Sequence, residues 1–305
     1  MGRLTLLTVN GHPDDESVTV GGTMARYAAE GVRVVCVIGT RGEVGEIVDP
    51  TLATPANFAD LGAIREDEAR RALSHLGSID LRFLGYRDSG MPGTPENADP
   101  RSFTQADLDE ATGRLVRIVR EVRPQVIVGP NEFGGDGHPD HIRAGELARA
   151  AFARAGDPTA YPEQLADGLE PWQPNKLYEP VTDLGRRRKL IRALRSDGIG
   201  AAALILFRAA RHWRPGRERE RSRSASAQHA VTTRVNVSRF IEAKYAALAE
   251  HRTQVAPDSD HFVLTPQQRK RVVPTEDFAL RAVRGLQPPT HEKDLFAGLR
   301  SNVEA

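Results

Sequence analysis

Three stretches of this chain, LTLLTVN at 4–10, VRVVCVIGT at 32–40 and QVIVGP at 125–130, are apolar almost without a break. A strand with one wet face alternates apolar and polar residues, so strands apolar at consecutive positions must be covered on both faces. The segments between them have helical spacing. GGTMARYAAEG stops at Gly31, IREDEARRALSHLG stops at Gly77, and TQADLDEATGRLVRIVREVRP has a Thr- and Asp-rich start and a proline end. LRFLGY at 81–86 adds a strand, and the segment from His138 to Gly156 adds a helix. The expected fold is α/β, a Rossmann-like, mostly parallel sheet with helices on both faces and a smaller irregular C-terminal portion. Such sheets bind ligands beyond the carboxyl ends of their strands, where strand order reverses.

The second half is less regular. Residues 1–195 read as the α/β core, 196–235 as a flexible insertion and 236–305 as a strand–helix segment packed on the core. The Arg- and Ser-rich stretch 208–227 reads as a surface loop. TTRVNVSRFIEAKYAALAEHRTQ at 232–254 reads as a short strand, then a helix capped near Ser238 that ends near His251. With 42 Lys and Arg against 41 Asp and Glu the formal net charge is +1, so no nucleic-acid role is expected. The apolar run at 198–207 is too short to span a bilayer as a helix, and the N-terminus reads as a strand, so no membrane insertion and a cytoplasmic location are expected. Cys36, the single cysteine, reads as a buried strand residue. Homo-oligomerisation is left open.

Two polar clusters stand at the mouths of buried strands: GHPDDES at 11–17 and HPDH at 138–141. If those strands are neighbours, the clusters converge on a mixed N/O ligand set. Catalytic zinc takes about three such ligands and keeps a position for water, which it acidifies. A histidine and an aspartate from the first cluster and a histidine from the second would supply the set. One carboxylate would be left beside the water as a general base.

HPDDE followed by a GGT helix start, with HPDH later opening a helix, resembles the PIG-L/LmbE-like family of zinc-dependent N-deacetylases, nearest its mycothiol-related branch. The similarity runs from the N-terminus to about residue 155, with fainter echoes in WQPNKLYE, in 232–255 and in DLFAGL. The resemblance implies one Zn2+ per chain on His12, Asp15 and His141, with Asp14 as general base. It makes His138 the residue that stabilises the tetrahedral intermediate or protonates the leaving amine, and Asp140 the residue that orients His138 or a ligand. Glu16 is expected to brace the turn. Arg65 and Asp88 match substrate contacts of the mycothiol branch; their plainer readings are a solvated helix face and a turn residue. The implied reaction is hydrolysis of an N-acetyl group on an amino sugar of small-molecule size.

Two positions depart from that branch. Asp136 stands where relatives have a tyrosine proposed to polarise the carbonyl, so that role falls to His138 and the metal. Thr19 stands where conjugate-cleaving relatives have a lysine, which weakens that reading. The alternatives are an amidase for a larger acyl group, such as one acting on a mycothiol S-conjugate, a metal phosphoesterase, for which the chain offers too few extra ligands, and a non-catalytic sugar-binding module.

Overall fold

All six residues of β1 (Thr5–Asn10) are buried, and they divide between two cores. Leu6 belongs to the core on one face of the sheet, and Leu7 and Val9 to the core on the other. β2 (Arg33–Thr40) repeats the division, with Val34, Cys36 and Ile38 on the first side and Val35 and Val37 on the second. The unbroken apolar runs are thus the two-sided burial of central strands. The first core is closed by α2 (Gly21–Ala29), α4 (Leu61–Leu76) and α8 (Ile241–Glu250), and the second by α5 (Leu108–Val122) and α6 (Pro139–Arg154).

This computed structural model describes residues 3–135, 137–181, 230–262, 264–287 and 291–300. The stretch 208–227, most of the expected insertion 196–235 and Asp136 lie outside the described residues. The described strands form one seven-stranded sheet of order β3-β2-β1-β4-β5-β7-β6, completed by β3 (Ile79–Tyr86), β4 (Val126–Val128), β5 (Lys176–Pro180), β6 (Thr233–Asn236) and β7 (Thr275–Val283). The first five pair in parallel, and β7 runs antiparallel to both its neighbours. Strand order reverses between β1 and β4, which are in register from Leu6↔Val126 to Thr8↔Val128. The two polar clusters therefore emerge side by side at the switch point.

Helix ends follow the sequence signals. Gly31 and Gly77 take positive φ after α2 and α4, and Asp107 caps α5 by accepting from the Glu110 N–H at 2.9 Å. Ser238 does not cap. It opens a short 3-10 turn and donates to Asn236, and α8 begins at Ile241 without a side-chain cap. No helix among the described residues is long and apolar enough to cross a membrane.

Candidate metal centre

The chain leaves β1 through Gly11, where a Cβ would lie 2.7 Å from the His141 ring. Only glycine lets the two strand mouths approach this closely. His12 follows, then α1 (Asp15–Thr19) and, from the neighbouring strand, the first turn of α6 with His138, Asp140 and His141.

His12 Nδ1 faces His141 Nε2 at 3.1 Å, and Asp15 Oδ1 lies 3.2 Å from the same His141 nitrogen. Asp15 Oδ2 lies 3.8 Å from His12 Nδ1. Tetrahedral zinc with bonds of about 2.0–2.1 Å spaces its donors about 3.4 Å apart, so His12, Asp15 and His141 could hold it. The outer side of each ligand is already anchored. His12 Nε2 meets Asp140 at 3.1 Å and Asp88 at 3.5 Å, His141 Nδ1 meets the Gly134 carbonyl at 3.1 Å, and Asp15 Oδ2 accepts from the N–H groups of Gly11 and His12. With protons on those outer nitrogens, two imidazole lone pairs point at each other, an arrangement that calls for a cation between them.

Without a cation, the same carboxylates favour a proton on the inner His12 nitrogen instead. Burial disfavours a charged His12, but the hydrogen bonds to Asp140 and Asp88 and the charge of Asp15 outweigh it and push the ring up to about 9. Burial raises Asp15, but the charge and hydrogen bond of His141 and the charge of His12 overcome this and hold its carboxyl well below the usual range. A divalent cation would compete with that proton, and the carboxylates that favour the charged ring would favour the cation as well. Two other donor groupings, His12 with His138 and His141, and His12 with Asp88 and Asp140, are also compact. In the second, Asp140 accepts from the Ser89 N–H and O–H and Asp88 from the Gly90 N–H, so both carboxylates are engaged without a metal.

Asp14 is the carboxylate left over. It is the N-cap of α1 at φ 116°, a conformation rare for a side chain bearing a Cβ. Burial, together with the charges of Asp15 and Glu16, outweighs Arg65 and His251 and pushes it up to about 6. Arg65, only 3% exposed, donates to the Pro13 carbonyl at 2.7 Å and the Gly42 carbonyl at 3.0 Å and lies 3.6 Å from the Asp14 carboxylate. His138, the N-cap of α6, accepts from the Asp140 N–H through Nδ1. Burial and the neighbouring His12 and His141 hold it down to about 4, so near neutral pH the ring is uncharged and carries its proton on Nε2.

The structure thus gathers His12, Asp14, Asp15, His138, Asp140, His141, Arg65 and Asp88 at one place. Asp140 directs its carboxylate to His12 and Ser89, and Asp88 lies beneath His12 with 3% exposure. Sequence reasoning missed Ser89 and also His251, whose Nε2 meets the buried Glu16 carboxylate at 2.9 Å. A cleft of about 800 Å³ opens at the ends of β2 and β3, lined by residues between Thr40 and Arg101 along the chain, and none of His12, Asp14, Asp15, His138, Asp140 and His141 lines it.

The family model described as PIG-L: GlcNAc-PI de-N-acetylase matches residues 7–152. A Streptomyces scabiei protein named 1D-myo-inositol 2-acetamido-2-deoxy-alpha-D-glucopyranoside deacetylase is 42% identical over 303 residues, covering 96% of this chain and 89% of its own. A Frankia alni protein of the same name, numbered 1, is 43% identical over 305 residues, covering 95% of this chain and 99% of its own. Among solved structures, N,N'-diacetylchitobiose deacetylase from Pyrococcus horikoshii superposes with a TM-score of 0.60 at 22% identity, covering 90% of this chain and 83% of that one, a likeness of fold.

Proposed function

Because the chain belongs to the PIG-L family of de-N-acetylases and is thereby a hydrolase of amide bonds, we propose that it removes the acetyl group from 1D-myo-inositol 2-acetamido-2-deoxy-α-D-glucopyranoside, using one zinc ion held by His12, Asp15 and His141. The observation that carries this reading is the His–His–Asp donor set at the switch point with a separate carboxylate, Asp14, beside it. The named relatives point to the substrate.

Zinc at these ligands would polarise the acetamide carbonyl and make water acidic enough to attack. Asp14 takes the proton from the water as its oxygen bonds to the carbonyl carbon, a task suited to a carboxylate poised near 6. His138, uncharged, donates through Nε2–H to the carbonyl oxygen as negative charge builds there. The C–N bond then breaks, and the nitrogen leaves with the proton that Asp14 has held, giving acetate and a free amine. Asp140 and Asp88 keep the outer His12 nitrogen protonated and its ring fixed. Arg65 serves the turn through two backbone carbonyls as well as any sugar hydroxyl within its reach. We place the reaction in the cytoplasm, in keeping with a chain whose single cysteine can form no internal disulfide.

Acetate release from this substrate by the zinc-loaded protein tests the reading. Asp14→Asn is expected to lower kcat by about 100-fold or more while zinc stays bound. A wild type that binds one equivalent of zinc and releases no acetate would move the reading to an amidase for a larger acyl group.

A further inference from the structure

The Pro13–Asp14 peptide unit is held at both ends. Its carbonyl accepts from Arg65 Nη2 at 2.7 Å, and its N–H donates to Glu16 Oε2 at 2.9 Å. The orientation of this plane relative to the Asp14 Cα is the φ angle of Asp14, 116°, and few neighbours could hold a non-glycine residue there without such a grip. Glu16 is itself fully buried. Its other oxygen receives the Ser17 hydroxyl at 2.7 Å and His251 Nε2 at 2.9 Å. His251, also with zero exposure, comes from the end of α8, 235 positions along the chain from Glu16.

His251 is in turn fixed by its loop. Thr253 donates its N–H and hydroxyl to the buried Glu68 carboxylate on α4 at 2.9 and 2.6 Å, and Arg252 pairs with Asp49 at 2.6 Å. Among the described residues the buried His251 Nδ1 atom has no hydrogen-bond partner, and the ring's hydrogen-bond contacts there run through Nε2 toward Glu16 and Ser17.

We propose that His251 is a positioning residue that acts through Glu16: it locks the Glu16 carboxylate onto the Asp14 N–H, and this clamp, opposed by Arg65, aims the Asp14 carboxylate. The clamp rests on the reading of Asp14 as the general base. It is separate from the metal ligands, because Asp15 is anchored by the N–H groups of Gly11 and His12. A defect in the clamp therefore reaches the base and spares zinc binding.

Removing His251 alone leaves a buried carboxylate unpaired, which can unfold a protein outright. The informative variant is the double change Glu16→Met with His251→Leu, which removes both charges and fills the space with apolar side chains. Crystal structures, zinc titration, thermal unfolding and steady-state acetate release would be measured on the full chain for wild type, this double variant, His251→Gln and His251→Asn. The proposal expects the double variant to fold and bind zinc with unchanged affinity, with Asp14 leaving its positive φ and kcat falling about 10- to 100-fold at unchanged KM. Glutamine places an N–H donor where Nε2 stands and is expected to restore kcat to within a few-fold; asparagine, too short, is not. A double variant that keeps the Asp14 φ and wild-type kcat overturns the clamp, as does a loss confined to KM or to zinc affinity. A wild type without acetate release, in company with a double variant whose Asp14 φ relaxes, instead refutes the deacetylase reading and leaves the clamp standing.

Discussion

Asp140 has no exposure, and its carboxylate is engaged on both oxygens, by the Ser89 N–H at 2.9 Å and the Ser89 hydroxyl as well as by His12 at 3.1 Å. Ser89 fixes Asp140, and Asp140 fixes the ring and tautomer of a proposed zinc ligand. Groups behind a metal ligand commonly set affinity by 10- to 100-fold. Ser89→Ala removes one of the two Ser89 hydrogen bonds and is expected to weaken zinc binding about 10-fold, read by competition with a chelating dye. An affinity within twofold of wild type would mean that the N–H alone suffices. The proposed ligands and base were legible because His and Asp crowded at a strand mouth are hard to explain otherwise. Ser89 and His251 were not: their partners lie 51 and 235 positions away, and a serine in a turn or a histidine after a helix has many uses. Arg65 and Asp88 were legible as polar residues near the site, while their burial depended on Gly42 and Val44 folding over them, which no local pattern announces.

Among the elements, the clearest case of a long-range partner is the start of α2. Gly21 and Gly22 offer no side chain to cap it, and the preceding Val20 makes no side-chain cap hydrogen bond. The cap comes from Glu276 on β7, whose two oxygens accept from the N–H groups of Gly22 at 3.0 Å and Thr23 at 2.8 Å, with Lys244 of α8 paired to it at 2.5 Å. A carboxylate there satisfies two orphan donors and meets the positive end of the helix. Glu276→Ala is expected to lower the unfolding free energy by about 2 kcal/mol, measured by urea denaturation, with zinc affinity preserved because α2 carries none of the proposed ligands. A change below about 0.5 kcal/mol, the range of ordinary surface substitutions, would show that water replaces the cap. The sequence hid β7 for a related reason. TEDFALRAV is rich in helix formers, and it becomes a strand because ladders on both sides, to β5 and β6, supply its hydrogen bonds. The central strands needed no such context, since their runs of Val, Ile and Leu already demanded cover on two faces.

At the scale of the whole molecule, the last described segment closes the fold onto its first helices. Leu295, Phe296 and Leu299 enter the same core as Met24 and Tyr27 of α2, and the rings of Tyr27 and Phe296 meet edge to face at 5.1 Å. Asp294 organises the closure. It accepts from the Tyr27 hydroxyl at 2.8 Å, from the Phe296 N–H at 3.0 Å and from Arg300 Nε at 2.6 Å. Burial pushes its carboxyl up, but these three hydrogen bonds and the Arg300 charge prevail and hold it below its ordinary 3.8. A carboxyl whose pKa is lower in the folded chain than in the unfolded one contributes stability above the unfolded value, here about pH 4. As pH falls further the unfolded chain takes up the proton first, and the contribution is lost as pH passes through the folded pKa. Asp294→Asn lacks that titration. Its melting temperature is expected to lie below that of wild type at neutral pH, with the gap closing as pH falls below about 4. Both proteins should be measured with zinc chelated, so that protonation of the histidines does not enter as metal loss. A gap that stays constant down to pH 2.5 would assign the cost to packing around Tyr27 and Arg300 rather than to the charge that fastens the end of the described chain to its beginning.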